Sequence, residues 1–273
     1  MIQPKSSFIT CTDLLKFKPP VLKPVLGQWL TDRTITMIYS WRGVGKSLFA
    51  LSMAHSIACG APFAHWSGSN IPRRICYFDG EMHLGIIKSR LLSIMHGSRY
   101  DCDADSIGFV CPESTGGIFW NLGLEHHREY YLECCKDSDV VIFDTLTSCV
   151  RPVPKKDKLS VWAEVQEWLI KLRDLNKTIF IIHHEGKNGT QRGFSDFEDP
   201  LDFCLHLEKP PSWKPLLGAD FVLHFEKFGR GQPIGNDGES KSITCHRKED
   251  GSLFWNYSDY VDPQNETRGD IHF

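Results

Sequence analysis

The chain has 273 residues, with 31 Lys and Arg against 34 Asp and Glu for a net charge of −3, and is 41% hydrophobic, 24% charged and 12% aromatic. These values exclude a disordered, collagenous or coiled-coil chain, and a length approaching 300 residues buries enough surface for one large domain without disulfide staples. The near-neutral balance confines any nucleic-acid contact to a few loops or a channel.

In chain order, Pro4, Pro19, Pro20 and Pro24 interrupt helix and sheet alike, so residues 1–33 read as an extended N-terminal arm. Residues 1–12 carry a lysine but no apolar signal core, and no uncharged apolar run approaches the ~20 residues of a membrane helix, which predicts a cytoplasmic protein without membrane contact. Residues 34–39 (TITMIY) predict a strand and 46–58 a helix. A second strand follows at 74–78 (RICYF), with a helix across 83–95. Third and fourth strands are expected at 106–111 and 140–143 (VVIF). Leu159, Trp162, Val165, Trp168, Leu169, Leu172 and Leu175 recur at helical spacing over 159–175, and 178–183 (TIFIIH) predicts a fifth strand.

Short β-branched runs separated by helices predict an α/β fold with a mostly parallel central sheet flanked by helices. Beyond residue 215 the pattern changes to strands at 219–226, 242–245 and 253–257, which predicts C-terminal antiparallel strands on the same sheet. The expected organisation is therefore an arm over 1–33, a body over 34–260 and a tail over 261–273.

The ten cysteines form no C-x-x-C pair; Cys134 and Cys135 are adjacent, while Cys11, Cys59, Cys76, Cys111, Cys149, Cys204 and Cys245 each stand alone. They read as reduced thiols acting as small core hydrophobes. His126 and His127 precede a helical stretch expected at 128–136 and lack a matching carboxylate or cysteine at ligand spacing.

Ser40, Trp41, Arg42, Gly43, Val44, Gly45, Lys46 and Ser47 lie between the first strand and first helix, with Leu48 following. They match the phosphate-loop pattern G-x-x-x-x-G-K-[ST] except that Ser40 replaces the first glycine. Gly43 and Gly45 let backbone N–H groups wrap a phosphate, Lys46 reaches the terminal phosphates of ATP, and Ser47 ligates Mg²⁺. Asp144 ends an apolar strand, the Walker B arrangement that holds Mg²⁺ through a water. Asp79 and Glu81 follow the second strand, read as a neighbour of the phosphate-loop strand. Glu81 is placed to orient and deprotonate a water, and Asp79 is structural.

With these residues in place, the chain resembles the RecA-like P-loop ATPases. YFDGEM (77–82) is similar to the stretch that carries that family's catalytic Glu, VVIFDTLTS (140–148) to its Walker B strand, and FIIHH (180–184) to the strand that senses the γ-phosphate. The likeness over residues 25–257 is nearest to plasmid RepA-type hexameric replicative helicases, which share a His-His-x-x-Lys segment, an Arg-Gly in the next loop and a late strand ending in Lys.

The resemblance implies a sensor role for His184 and a loop facing a ring's central hole over 185–195. There Lys187 and Arg192 meet single-stranded DNA, or Arg192 reaches a neighbour's nucleotide as a finger. It also implies a finger role for Lys227, followed here by Gly229 and Arg230 where the family shows an Arg two residues on. The 151–158 loop, with Lys155 and Lys156, is either a DNA contact or a solvated surface. Trp213 either stacks on a base or packs at a subunit contact. The function implied is Mg²⁺-dependent ATP hydrolysis by a hexameric ring acting as a DNA helicase. A RecA-like loader, regulator or defence-system subunit without helicase action is the alternative; a small-molecule phosphotransferase predicts an Arg-rich lid and an acceptor pocket, neither of which the sequence shows.

Overall fold

A computed structural model of the chain describes residues 8–186, 199–211, 213, 218–229 and 235–261. A short helix, α1 (Cys11–Lys16), is capped by Thr10, whose hydroxyl accepts from the Asp13 amide. A two-stranded hairpin follows, β1 (Pro24–Leu26) and β2 (Leu30–Thr31). The body then runs β3 (Ile35–Ser40), α2 (Lys46–Cys59), β4 (Ile75–Asp79), α3 (Leu84–Gly97), β5 (Ile107–Val110), α4 (Glu125–Cys134), β6 (Val140–Asp144), α5 (Leu146–Cys149) and α6 (Lys158–Asp174). It continues with β7 (Thr178–His184), β8 (Phe203–Glu208), β9 (Ala219–Lys227), β10 (Lys241–Arg247) and β11 (Leu253–Asp259).

Nine strands form one sheet in the order β11-β10-β9-β8-β3-β7-β6-β4-β5. β3 to β8 pair in parallel, and β9, β10 and β11 extend the sheet antiparallel from β8. Except for the edge strand β5, the parallel strands are buried on both faces, which is why they read as unbroken apolar runs. Alternate side chains divide between two cores: Ile38, Tyr77, Ile142 and Ile182 pack on the side of α2, while Met37, Phe78, Phe143 and Ile181 pack on the side of α6.

α6 buries Val161, Trp162, Val165, Trp168, Leu169 and Leu172, and its first turn is capped by the Asp157 carboxylate, which accepts from the Leu159 and Ser160 amides. Each fully buried aliphatic side chain of such a stripe contributes about 1.5–3 kcal/mol. α2 is apolar around most of its circumference because it lies under the sheet, the β1–β2 hairpin and β11.

Three details differ from the sequence expectations. The segment expected as an extended arm contains α1 and a hairpin whose Val25, Leu26, Trp29 and Leu30 are buried in the main core. Trp29 meets Trp66, Phe203 and Phe225 at ring-centroid distances of 5.1, 5.2 and 5.2 Å. Proline masked this burial by suggesting breakage, whereas Pro24 simply opens a short edge strand. β8 is an unanticipated strand, and His126 and His127 lie within α4 rather than before it.

Candidate nucleotide site

The carboxyl ends of β3, β7, β6 and β4 are brought level by register. Ser40 pairs with His184, Asp144 with Ile182, and Asp79 with Asp144. Ligand sites of open α/β sheets form at this edge. Here it carries a cleft of about 810 Å³ lined by Arg42, Gly43, Gly45, Lys46, Ser47, Leu48, Glu81, Arg90, Thr145, His184, Gly218, Arg247 and Leu253.

Ser40 is the last, fully buried residue of β3, paired on both sides, and its hydroxyl donates to the Trp41 carbonyl at 2.9 Å. A serine is accommodated because this position is still strand. Trp41 and Arg42 are exposed, whereas Val44 anchors the loop in the core. Gly43 and Gly45 have φ of 79° and 114°, a region that L side chains avoid. A Cβ on Gly45 would meet Ala219 Cβ at 2.4 Å. Gly45 also caps α2 without a side-chain hydrogen bond, which leaves the first amides of the helix to a phosphate. Trp213 stands over this loop, near Gly43, with Lys209 Nζ 4.1 Å from its ring centroid.

Lys46 is 5% exposed, and its Nζ donates to the Ser40 and Trp41 carbonyls at 3.2 and 3.1 Å. Burial lowers its amine to about 8, although the carboxylates of Asp144, Glu81 and Glu185 pull the other way. Asp144 is almost wholly buried; it accepts from the Tyr77 hydroxyl at 2.7 Å on Oδ2, and the nearby Ser47 hydroxyl favours its charged form, while Oδ1 is buried with no partner among the described residues. Burial raises its carboxyl above the usual range. An orphaned carboxylate oxygen beside a serine hydroxyl fits a divalent cation, so Ser47 and Asp144 are the residues that would hold Mg²⁺.

β4 is separated from β3 by β7 and β6, which corrects the expectation that Glu81 follows a neighbouring strand. Glu81 reaches the cleft by a turn: Asp79 Oδ1 accepts from the Glu81 and Met82 amides at 2.9 and 2.7 Å. Its Oε1 accepts from Thr145 Oγ1 at 2.7 Å and lies 3.6 Å from His184 Nε2. His184 first, then Thr145, holds the Glu81 carboxyl down at about 2. Asp79 is pushed up to about 6 by burial and by Asp144.

Thr145, Arg90 and Arg247 line the cleft without having been singled out in the sequence. Thr145 directly follows Asp144 and is the one a local signal could have found. Arg90 arrives from α3 and Arg247 from the end of β10, distances in sequence that no motif spans.

Lys155 is exposed with φ of 66°, Lys156 is ion-paired with Glu164, and Arg151 stacks on Phe119 at 4.2 Å. Lys227 pairs with Cys204, level with Met37, which puts it two strands across and about 10 Å back along the strands from Ser40. Lys187, Arg192 and Arg230 lie outside the described residues.

The fold and cleft define a RecA-like P-loop ATPase. Residues 3–190 match the family model described as AAA domain, and the chain belongs to that family. It is 25% identical over 235 residues to the DNA repair protein RadA of Helicobacter pylori, covering 85% of this chain and 45% of that protein, so it spans less than half of the relative's length. A KaiC-like protein from Pyrococcus horikoshii OT3 shares the fold at a TM-score of 0.55, with 11% identity over 82% of this chain and 91% of the other. The RadB recombinase does so at 0.53, with 14% identity over 84% and 92%. Among the described residues no helix is long and apolar enough to cross a membrane.

Proposed function

We propose that the chain hydrolyses ATP with Mg²⁺ as part of a homo-oligomeric ring, a hexamer, and couples hydrolysis to movement along single-stranded DNA in the manner of RepA-type replicative helicases. The observation that carries the reading is the convergence of Lys46, the Ser47–Asp144 pair and the Thr145–Glu81–His184 group on one cleft. The free amides of α2 and Lys46 bind the phosphates, with Arg90 and Arg247 as further cations on the cleft wall. The cation that Ser47 and Asp144 would hold would supply charge neutralisation at the phosphates.

Glu81, held at about 2, is ionised at every working pH. It orients the attacking water by accepting its hydrogen bond more than by storing its proton. His184, between Glu81 and the 185–195 loop, links nucleotide state to that loop, where Lys187 and Arg192 with Lys155 meet the DNA backbone. Lys227, distant from its own cleft, serves a neighbour's. The DNA assignment is supported by the naming of the RadA relative as a DNA repair protein.

A loader or regulator without helicase action is the second reading, favoured by the engagement of Lys156 with Glu164 and of Arg151 with Phe119, which occupies two cations of the 151–158 loop. ATPase rate and native mass, with and without single-stranded DNA, separate the two, with Lys46→Ala and Arg192→Ala as controls. Turnover that rises with DNA in a hexamer supports the helicase; a monomer whose turnover ignores DNA rules it out.

A further inference from the structure

At the far end of α2 from the phosphate loop, His55, Cys59 and Cys102 converge, with one ligand atom from each lying within 4.8 Å of the others. His55 and Cys59 are four residues apart and share a helix face. Cys102 comes from the loop after α3 and brings its thiol to the same point. Cys59 Sγ is 3.7 Å from His55 Nε2 and 4.0 Å from Nδ1. In tetrahedral zinc coordination, bonds of about 2.3 Å to sulfur and 2.0 Å to nitrogen put two such ligand atoms roughly 3.6 Å apart.

We propose that His55, Cys59 and Cys102 form a binding site for a thiophilic divalent cation of the zinc class, with water as the fourth ligand. The donor set of two sulfurs and one imidazole suits Zn²⁺ and does not suit Mg²⁺, so this site is chemically separate from the nucleotide cleft. The carbonyls at the C-terminal turn of α2 add the negative end of the helix dipole.

A cavity lined by Ser52, His55, Tyr100 and Trp255 reaches the imidazole and offers an approach path. Binding replaces two S–H bonds with two metal–sulfur bonds and releases two protons, while neutral His55 contributes a lone pair. The metal would join the end of the helix that begins at Lys46 to the segment following α3.

The test is titration of the reduced, metal-stripped full chain with Co²⁺ and then Zn²⁺. One Co²⁺ per chain, with thiolate-to-metal charge-transfer absorption that Zn²⁺ abolishes, is expected. Cys59→Ser and Cys102→Ser should each lose that absorption while keeping the far-ultraviolet circular dichroism and ATP affinity of the parent. Cys134→Ser, on α4, should retain it. The proposal is overturned by absence of the charge-transfer band in the parent, by its persistence in both Cys→Ser variants, or by a Cys59–Cys102 disulfide in the chain as isolated.

Discussion

Thr145 Oγ1 donates a 2.7 Å hydrogen bond to Glu81 Oε1, joining the residue after the Walker B aspartate to the acid at the end of a different strand. This contact, with His184 on the other side, gives Glu81 a fixed position although half of its side chain is solvent-exposed.

Removing the contact should therefore affect turnover more than binding. Thr145→Val is expected to lower kcat about tenfold, and Glu81→Gln by about 10²–10⁴-fold. Both should keep nucleotide affinity within a few-fold of the parent. Steady-state hydrolysis alongside binding of a fluorescent nucleotide checks this; parallel losses in both quantities would assign Thr145 to folding alone.

Lys46 should make ATP binding proton-linked. Its amine is lowered from an ordinary 10.5 to about 8 by burial, and bound phosphates favour the charged form, so binding at pH 8–9 takes up protons. Calorimetry in two buffers of different ionisation enthalpy should show uptake at pH 8.5 that fades at pH 6.5 and is absent in Lys46→Met. The folded value lies below the unfolded one, so the burial penalty is fully present below pH 8 and is relieved as pH rises toward 10.5. Its upper bound is about 3 kcal/mol, and Lys46→Met should raise the nucleotide-free Tm at pH 7.

Asp79 presents the opposite charge in the same situation. Its folded value of about 6 exceeds the ordinary 3.8. The native state thus binds the proton more tightly, and stability from this group falls as pH rises from about 4 to 6. Asp79→Asn keeps an oxygen to accept from the Glu81 and Met82 amides while removing the buried charge. It should stabilise the chain at pH 7 by up to about 3 kcal/mol and flatten the pH dependence between 4 and 6. Urea unfolding at pH 4.5 and 7 checks both; equal destabilisation at the two values would contradict the assignment.

Gly45→Ala meets two obstacles, a φ of 114° and Ala219 Cβ at 2.4 Å. It should cost about 1–3 kcal/mol of stability and abolish ATP binding. Gly43→Ala has a positive φ but only Trp213 at 3.7 Å, so it should be the milder change in thermal melts and nucleotide titrations.

The parallel strands and the phosphate loop were legible because both depend on contiguous residues: VVIFD reads as a buried strand, and glycine spacing marks the loop. Glu81 was found as a residue, but its strand was misplaced beside β3, because strand order depends on crossovers that local patterns do not encode. Arg90 and Arg247 were missed for the same reason. The FCLHLE strand went unseen although its residues suit a buried strand. The hairpin at Trp29 was hidden by prolines whose breaking effect applies to helices and central strands, not to a two-stranded edge. The cysteines individually read as core; only folding shows that Cys59 and Cys102 meet over His55.

The phosphate-loop strand is flanked by strands made much later: Ile35 pairs with Ile179, and Thr36 with Phe203. A chain growing at roughly 5–20 residues per second holds its nucleotide loop without either neighbour for on the order of ten seconds. During that interval Gly45 has no Ala219 beside it, and β7, the strand that joins β3 to the strands of Asp144 and Glu81, has not been made. Nascent chains stalled before β8 emerges would therefore carry the complete phosphate-loop sequence yet capture no ATP, so ligand-assisted folding can begin only once the second half of the protein has been synthesised.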